Sequence, residues 1–592
     1  LKEGLLSGQF KLLAKNADKS DVWKKFLEVV DATTSAPVGH VQCSDCKSFL
    51  RYDCSKTGTS HLSRHNCKST TFECANITSF FAANKSRIPA SVKESLTVAC
   101  VGLCVKDMRP FDFVHGEGFV KLGDELIKIG ARYGNVLASD VLPHPTTVSR
   151  KAADVANAMR AAMKPSIEAA MEGNRCAVTT DMWTDDFKKV AYTTATVHFI
   201  DDNWVLQSKV LFTCDFPNER KTGENIRKEI LRRFSKLGFP EDILGNVVFV
   251  TDQGANIINA LRPYTRMSCA AHILNTVLRN TFDESFITAE VPAVHDTMKS
   301  VKAVVTFLKQ SGLASQLPHA VHQDVSTRWN SKLAMVRSVF MQYEEIEALL
   351  ESRNSCLLDE VTKSAMKEII DFLEPFKEAS DRLEHDKHPT LPFVLLCFAK
   401  LSRHLSVDRS DSSLIAKLKD RAKKFLEVKL QLEEVHKMAT FLCPQFRQLR
   451  MLPDRERNAV YDCVREKLGN ESTGECADAK DNLSPPSKRA CVDEFQEWCD
   501  VEVVPEPMDE VEQYLSTQYH GGGGMADVLQ WWRSHQNTFP QLAALVRKVL
   551  CIPATSASSE RNFSAAGYVM NERRTCLKQE SLDNILFLHK NM

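Results

Sequence analysis

Two short runs of β-branched and apolar residues stand out along the chain, and each runs straight into an acid. Ala177-Val178-Thr179-Thr180 leads into Asp181 and then Met182-Trp183-Thr184-Asp185-Asp186, while Val247-Val248-Phe249-Val250-Thr251 leads into Asp252 and then Gln253-Gly254-Ala255-Asn256. Runs of this kind read as central strands whose C-terminal ends are marked by the acids, the first strand ending at Asp181. Between them, Val190 to Ile200 and Trp204 to Phe212 read as two further strands joined by the turn Asp201-Asp202-Asn203, which makes an antiparallel meander. Gly223 to Leu237 follows as an amphipathic helix with Ile226, Ile230, Leu231 and Phe234 on one face. Three antiparallel strands, a crossover helix and a fourth strand let the fourth lie parallel beside the first. Asp181 and Asp252 then emerge side by side at one edge.

Helical spacing governs most of the remainder. From Ile88 to about Arg160 it predicts three helices: one starting at Ser91–Leu96, one through Phe119–Leu122 and Leu126-Ile127, and one over Thr147–Met163, with Pro110 breaking the pattern between the first two. The basic residues Arg150, Lys151, Arg160 and Lys164 along the third read as a solvated face. Helical periodicity returns from about residue 290 to 465, where Ser331 to Leu350 carries a single apolar stripe. Residues 466–512 are acidic, contain Ser-Pro-Pro and lack periodicity, so they read as a disordered loop. Beyond Gly521–Gly524 come Trp531-Trp532, Phe539-Pro540, the apolar helix Leu542–Leu550 and then Ile552-Pro553-Ala554-Thr555-Ser556-Ala557-Ser558-Ser559-Glu560-Arg561-Asn562-Phe563-Ser564. Thr555 or Ser556 suits an N-cap, which places Glu560 early on a helix, either complementing the dipole or serving as a third carboxylate. The order of elements is that of an α/β ribonuclease-H-like core interrupted by a large all-α insertion.

Composition narrows the setting. At 592 residues, 43% hydrophobic and 26% charged, the chain has the makeup of a multidomain globular protein. No membrane partner is expected, because the longest apolar run, Leu391 to Leu401, is interrupted by Lys400 and is too short for a bilayer. The chain opens on Leu without a signal peptide, so it reads as truncated, and its 19 scattered cysteines fit a reducing compartment. A net charge of zero at first argues against nucleic acid, yet residues 466–515 hold fourteen acids and four bases, leaving 72 bases against 62 acids elsewhere. The first hundred residues carry fourteen bases and nine acids. A local basic field is permissive for phosphate.

Metal-binding spacing appears near the start. Cys43 and Cys46 form a Cys-x2-Cys knuckle, followed by His61, His65 and Cys67. This spacing can close a tetrahedral zinc site on Cys43, Cys46 and His65, with either Cys67 or His61 as the fourth ligand. Trp23, Phe26, Phe49 and Leu62 could pack a small core around the metal. Cys269 and His272 stand three apart, close enough to share a metal, although a packed cysteine beside a hydrogen-bonded histidine is the plainer reading. Trp329, in Asp324-Val325-Ser326-Thr327-Arg328-Trp329-Asn330, has polar neighbours, a setting better suited to stacking on a displaced base than to anchoring a core.

Taken together, these stretches resemble the hAT-superfamily DNA transposases of the Hermes and hobo type. The resemblance rests on the Cys-x2-Cys…Leu62-x-x-His65 finger, similar to a BED zinc finger, and on R-P-F-D-F-V, T-T-D-M-W-T, V-T-D-Q-G-A-N, Cys-x2-His, S-T-R-W-N and S-A-S-S-E-R-N-F-S. It implies a catalytic triad of Asp181, Asp252 and Glu560 holding Mg²⁺ or Mn²⁺, an Arg328–Trp329 pair near the cleaved DNA, and Cys67 as the fourth zinc ligand. It also implies metal-dependent cleavage at element ends, hairpin formation on flanking DNA and strand transfer into a target, by a nuclear homodimer or higher homo-oligomer whose partners are terminal inverted repeats and target DNA. The corresponding organisation is a BED-type finger over 20–75, a helical DNA-binding and dimerisation domain over 88–165, the first part of the core over 174–265, a helical insertion over 266–520, and the C-terminal part of the core with a dimerisation region over 525–592. Two alternatives share these features: a domesticated host DNA-binding regulator that keeps the fold, and a structure-selective nuclease without strand transfer.

Overall fold

Two valine-containing runs near the start of the chain, Phe26–Asp31 and Pro37–Cys43, are strands in the computed structural model, which describes residues 1–15, 21–53, 59–65, 88–185, 189–217, 219–325, 329–353, 356–358, 361–471, 509–519, 528–570 and 577–592. These residues fall into two compact units, 1–142 and 143–592. In the first, β1 (Phe10–Ala14), β2 (Phe26–Asp31), β3 (Pro37–Cys43) and β4 (Phe49–Arg51) form an antiparallel sheet in sequence order. The sheet therefore begins upstream of the expected finger boundary at residue 20, because the whole of β1 pairs with Leu27–Asp31 of β2. Trp23, Phe26, Val41, Cys43, Tyr52 and Leu62 are its core. Leu50 rather than Phe49 packs against that core, since Leu50 lies opposite Val41 and alternate strand residues face opposite sides.

The same unit holds the helices Ala90–Lys106 and Glu117–Tyr133, separated by Pro110 as the pattern predicts, and a short turn of helix at Ala138–Val141. Of all their side chains only Cys104 is buried. Leu96, Val101, Met108, Phe111, Ile127 and Leu137 are between 48% and 75% exposed.

In the second unit the acid-terminated runs are neighbouring strands. β5 (Cys176–Thr184), β6 (Ala191–Ile200), β7 (Leu206–Asp215), β8 (Val248–Thr251) and β9 (Arg266–Ser268) form one sheet in the order β7-β6-β5-β8-β9. β5, β6 and β7 are antiparallel neighbours, whereas β8 lies parallel to β5 and β9 parallel to β8. The first strand does not stop at Asp181: antiparallel pairing with β6 continues to Thr184, although the last parallel pair with β8 is Thr179 with Val250. Helices Pro145–Glu172 and Gly223–Lys236 cover one face over Val178, Val197 and Phe249, the second helix contributing Phe234 to that core. On the other face, Ala177, Val250 and Met267 share a core with a long helical stretch that runs from Ala270 to Val549.

Three helical expectations shift. The expected stripe over Ser331–Leu350 is two helices, Trp329–Phe340 and Tyr343–Glu351. They part at Gln342, which is buried with its Oε1 accepting the His319 N–H at 2.9 Å. The helix Asp454–Glu471 runs into the start of the expected acidic loop, whose residues 472–508 lie outside those described. Trp532, buried with its indole N–H donating to the Leu442 carbonyl at 2.8 Å, belongs to this chain's own core, as do Leu542 and Leu545.

An apolar surface as broad as that of residues 90–137 is stable in water only when covered. The full chain is therefore predicted to sediment as a dimer or larger. Leu96→Asp with Ile127→Asp should shift it toward 66.6 kDa without loss of helical signal. A parent protein that is monomeric at every concentration would mean that these faces are covered within one chain.

Candidate active site

Three distant stretches deliver the acids. Asp181 sits on β5 just beyond the last pair with β8, where the sheet face opens, and its Oδ1 accepts the Met182 N–H at 2.7 Å. Asp252 follows β8 directly. Its Oδ1 accepts the Gly254 N–H at 3.2 Å, and its carbonyl accepts from the Arg266 guanidinium at 3.2 Å, so β9 holds the turn from behind. Glu560 lies in the first turn of the helix Ala557–Val569. All three line one cavity of about 600 Å³, together with Trp183, His272, Asn275, Trp329, Asn330, Ser380, Glu384 and Phe563.

The residues around Glu560 explain its placement. Ser558 Oγ is 2.8 Å from Thr179 Oγ1, Ser559 Oγ donates to the same oxygen at 3.4 Å, and Asn562 Nδ2 donates to Thr196 Oγ1 at 3.2 Å. His198 Nε2 bonds Thr179 at 3.1 Å, and burial lowers its pKa to about 3, so this seam is neutral. Phe563 stacks on Trp183 with ring centroids 5.9 Å apart. The helix begins at Ser556 without a side-chain cap; instead the Ser556 N–H donates to Cys269 Sγ at 3.3 Å, and the Ala270 N–H donates to the Ala554 carbonyl at 3.0 Å. Thr555 Oγ1 donates to the Leu383 carbonyl at 3.3 Å.

Cys269 and His272 stay neighbours but face different ways. Cys269 is fully buried against the start of the Glu560 helix, whereas His272 faces the cavity with Nε2 3.8 Å from Glu560 Oε1. Burial alone would lower the His272 pKa, but the Cys269 sulfur, Glu560 and Asp181 outweigh it and raise it to about 10. Burial raises Asp181 to about 6, with the charges of Asp252 and Glu560 adding to the effect against His272 and the Met182 N–H. Glu384, just past the helix Lys363–Leu383, is a further acid in the cavity. Burial raises its pKa despite a 3.1 Å hydrogen bond from Ser380, and Glu560 contributes in the same direction. Glu384 belongs to no motif, and only the tertiary fold brings it here.

Trp329 packs differently from the expectation. It is 7% exposed and lies in the helical core, edge-on to Phe376 at 6.3 Å, while also lining the cavity. Its polar neighbours precede the helix, so the residues that share its face, Leu333 and Val336, decide where it points. Arg328 lies outside the described residues.

In the first unit, ligand atoms of Cys43, Cys46 and His65 lie within 4.8 Å of one another, a Cys₂His set suited to zinc. Among the described residues it is the one set of three that meets this spacing, and the three carboxylates are more widely placed. Hydrogen bonding to Ser48, chiefly through its side chain, lowers the Cys46 thiol to about 6, which favours the thiolate a metal needs. His61 Nε2 bonds the Arg51 carbonyl at 2.9 Å and is not part of the set, while Cys67 lies outside the described residues.

Four family models match the chain: the Hermes transposase DNA-binding domain over residues 85–147, the ZBED1 RNase-like domain over 179–272, the ZBED1 RNase-like helical domain over 267–374 and the hAT family C-terminal dimerisation region over 510–592. The chain is 27% identical to the transposable element Hobo transposase of Drosophila melanogaster, across 95% of this chain and 91% of that one. It is 23% identical to the putative AC transposase of Zea mays over 70% of this chain and 56% of that one. With zinc finger protein 618 of Homo sapiens it shares 22% identity over 87% of its own length, spanning 53% of that protein.

The Asp181 shift has a definite sign. Because its folded pKa of about 6 exceeds the unfolded carboxylate value, the unfolded chain releases the proton first as pH rises. The stability that comes from neutral Asp181 is complete below about pH 4 and is lost as pH climbs through about 6. Without added divalent cation, Asp181→Asn should exceed the parent by on the order of 2 kcal/mol at about pH 7.5 and match it near about pH 4, as read by urea denaturation. Equal differences at both pH values would rule out the buried charge as the cause.

Proposed function

The chain belongs to the hAT transposase family, and from that premise we propose that it is a cut-and-paste DNA transposase with a ribonuclease-H-like core and a helical insertion. The observation that carries this reading is the convergence of Asp181, Asp252 and Glu560, from three separate stretches, on one cavity. Carboxylate oxygens are the donors Mg²⁺ and Mn²⁺ prefer, and the Asp181 pKa is raised chiefly by burial, with the nearby charges of Asp252 and Glu560, which a divalent cation would relieve, adding to it. When bound there, such cations would supply Lewis-acid activation of the attacking and leaving oxygens in phosphodiester cleavage.

The chain's own residues prepare that chemistry. Asp181 and Asp252 are fixed by the main-chain N–H groups of Met182 and Gly254, so their second oxygens are left to the cavity. His272, held cationic at neutral pH, balances Glu560 and Asp181 and provides a proton-bearing group beside a developing oxyanion. Trp329 and Trp183 give aromatic walls on which a base drawn from the flanking duplex can stack during hairpin formation. Arg328 would contact phosphate. Zinc on Cys43, Cys46, His65 and a fourth ligand would fold a finger whose Arg51 and Arg64 contact the terminal repeats, and the place of work is the nucleus. A host DNA-binding regulator is the second reading, favoured by the similarity to zinc finger protein 618; the presence of all three acids weighs against lost chemistry.

Alanine at Asp181, Asp252 or Glu560 should lower cation-dependent cleavage of the element's own ends by on the order of a thousandfold while end binding persists. Substantial cleavage by Glu560→Ala would show that another acid, Glu384 first, fills the third place. Trp329 requires a subtler pair, because truncating a buried tryptophan to alanine costs about 3–5 kcal/mol of stability. Trp329→Phe should preserve both nick and hairpin, whereas Trp329→Leu should keep the nick and slow hairpin closure roughly ten- to a hundredfold. Equal slowing of both steps by leucine would leave Trp329 a core residue alone.

A further inference from the structure

The neutral polar side chains lining the acidic cavity are engaged, with one exception. Ser380 donates to Glu384, Ser564 donates to the Glu560 carbonyl at 3.1 Å, and Asn275 Oδ1 accepts the Trp329 N–H at 3.5 Å. Asn330, the second residue of the helix Trp329–Phe340, lines the same cavity with its Oδ1 buried and, among the described residues, without a hydrogen-bond partner, as is also true of the imidazole Nδ1 of His272. Such a group is uncommon, because losing water without gaining a partner is costly, and it calls for a ligand that completes it.

We propose that Asn330 is a specificity-determining residue: its amide pairs with the edge of a nucleobase drawn into the cavity, so that hairpin closure depends on the identity of that base. This inference rests on the transposase reading above. A side-chain amide offers a donor and an acceptor on one planar edge, the complement of the donor–acceptor edges of nucleobases and the means by which asparagine reads adenine. Its last torsion is soft, so rotation turns either atom toward the cavity. The volume of about 600 Å³ lies within the range of pockets that enclose ligands of nucleotide size. Aromatic walls hold any base by its face and do not discriminate, which leaves the discrimination to the amide.

The test uses the full-length protein and duplex ends that differ only in the nucleotide flanking the cut, with the first nick and hairpin closure timed separately. Wild-type closure rates should span roughly ten- to a hundredfold among the four bases, the worth of one base-edge pair, and Asn330→Ala should compress the span to about threefold or less. Asn330→Asp, which only accepts, should favour adenine, cytosine and guanine, whose amino groups donate, over thymine, which has none. Exchanging adenine for deoxynebularine, which lacks that amino group, should slow the wild type and leave Asn330→Ala unaffected. Nick rate and melting temperature should stay at wild-type values in both variants, and Asn330→Ser replaces the alanine if that variant fails to fold. An Asn330→Ala protein that keeps the wild-type span overturns the proposal, as does a wild type that closes every flank at one rate. Absence of both nick and hairpin in the wild type overturns the transposase reading itself.

Discussion

The cavity depends on one docking event, the seating of the helix Ala557–Val569 across β5 and β6. The contact is polar and buried: Ser558 and Ser559 meet Thr179, and Asn562 meets Thr196. A seam of this kind is orientation-selective, because sliding the helix by one residue would strand hydroxyl and amide groups away from water. Apolar packing alone would tolerate such a slip. The precision matters because Glu560 sits between these residues and Arg561, which is held by the Glu384 carbonyl at 3.0 Å and by Asp386. With its neighbours held on both sides, the main chain at Glu560 is fixed, which sets where its side chain enters the cavity.

Electrostatics then oppose what packing achieves. Bringing Asp181, Asp252, Glu560 and Glu384 to one cavity raises the pKa of Asp181 and Glu384, mainly through burial. His272 offsets part of that charge, and the remainder is a standing cost in the cation-free protein. The arrangement follows the general tension between stability and a preorganised site: the same uncompensated charge that weakens the fold is what attracts a divalent cation.

Much of this was legible in the chain. Valine- and threonine-rich runs marked the central strands, and the crossover rule for parallel strands placed Asp252 beside Asp181. What escaped reading is tertiary in origin. β9 has only Arg266, Met267 and Ser268, too short and too polar to signal a strand, yet it pairs with β8 and steadies Asp252. The break at Gln342 answers a main-chain donor on another segment, His319, which periodicity cannot register. Polar neighbours hid the packing of Trp329, because helix geometry couples it to Leu333 and Val336 as well as to the cavity it lines. Glu384 and the pairing of Thr179 with Ser558 join positions far apart in the chain, and no local pattern encodes them.

The helical stretch between β9 and the Glu560 helix raises a question of cost, since it separates acids that must act together. Its two ends are pinned: the Ala270 N–H donates to the Ala554 carbonyl, and Cys269 receives the Ser556 N–H. Closure entropy grows only with the logarithm of the intervening length, at about 0.6 kcal/mol per doubling, so once the ends are held a long segment costs little more than a short one. The stretch packs in one core with Ala177, Val250 and Met267 of the sheet, so it also supports the strands that carry Asp181 and Asp252. Its contributions to the cavity include His272, Asn275, Trp329, Asn330, Ser380 and Glu384, side chains suited to what enters. The sheet and the last helices carry the acids, and the helical stretch packs behind them and furnishes much of what surrounds them.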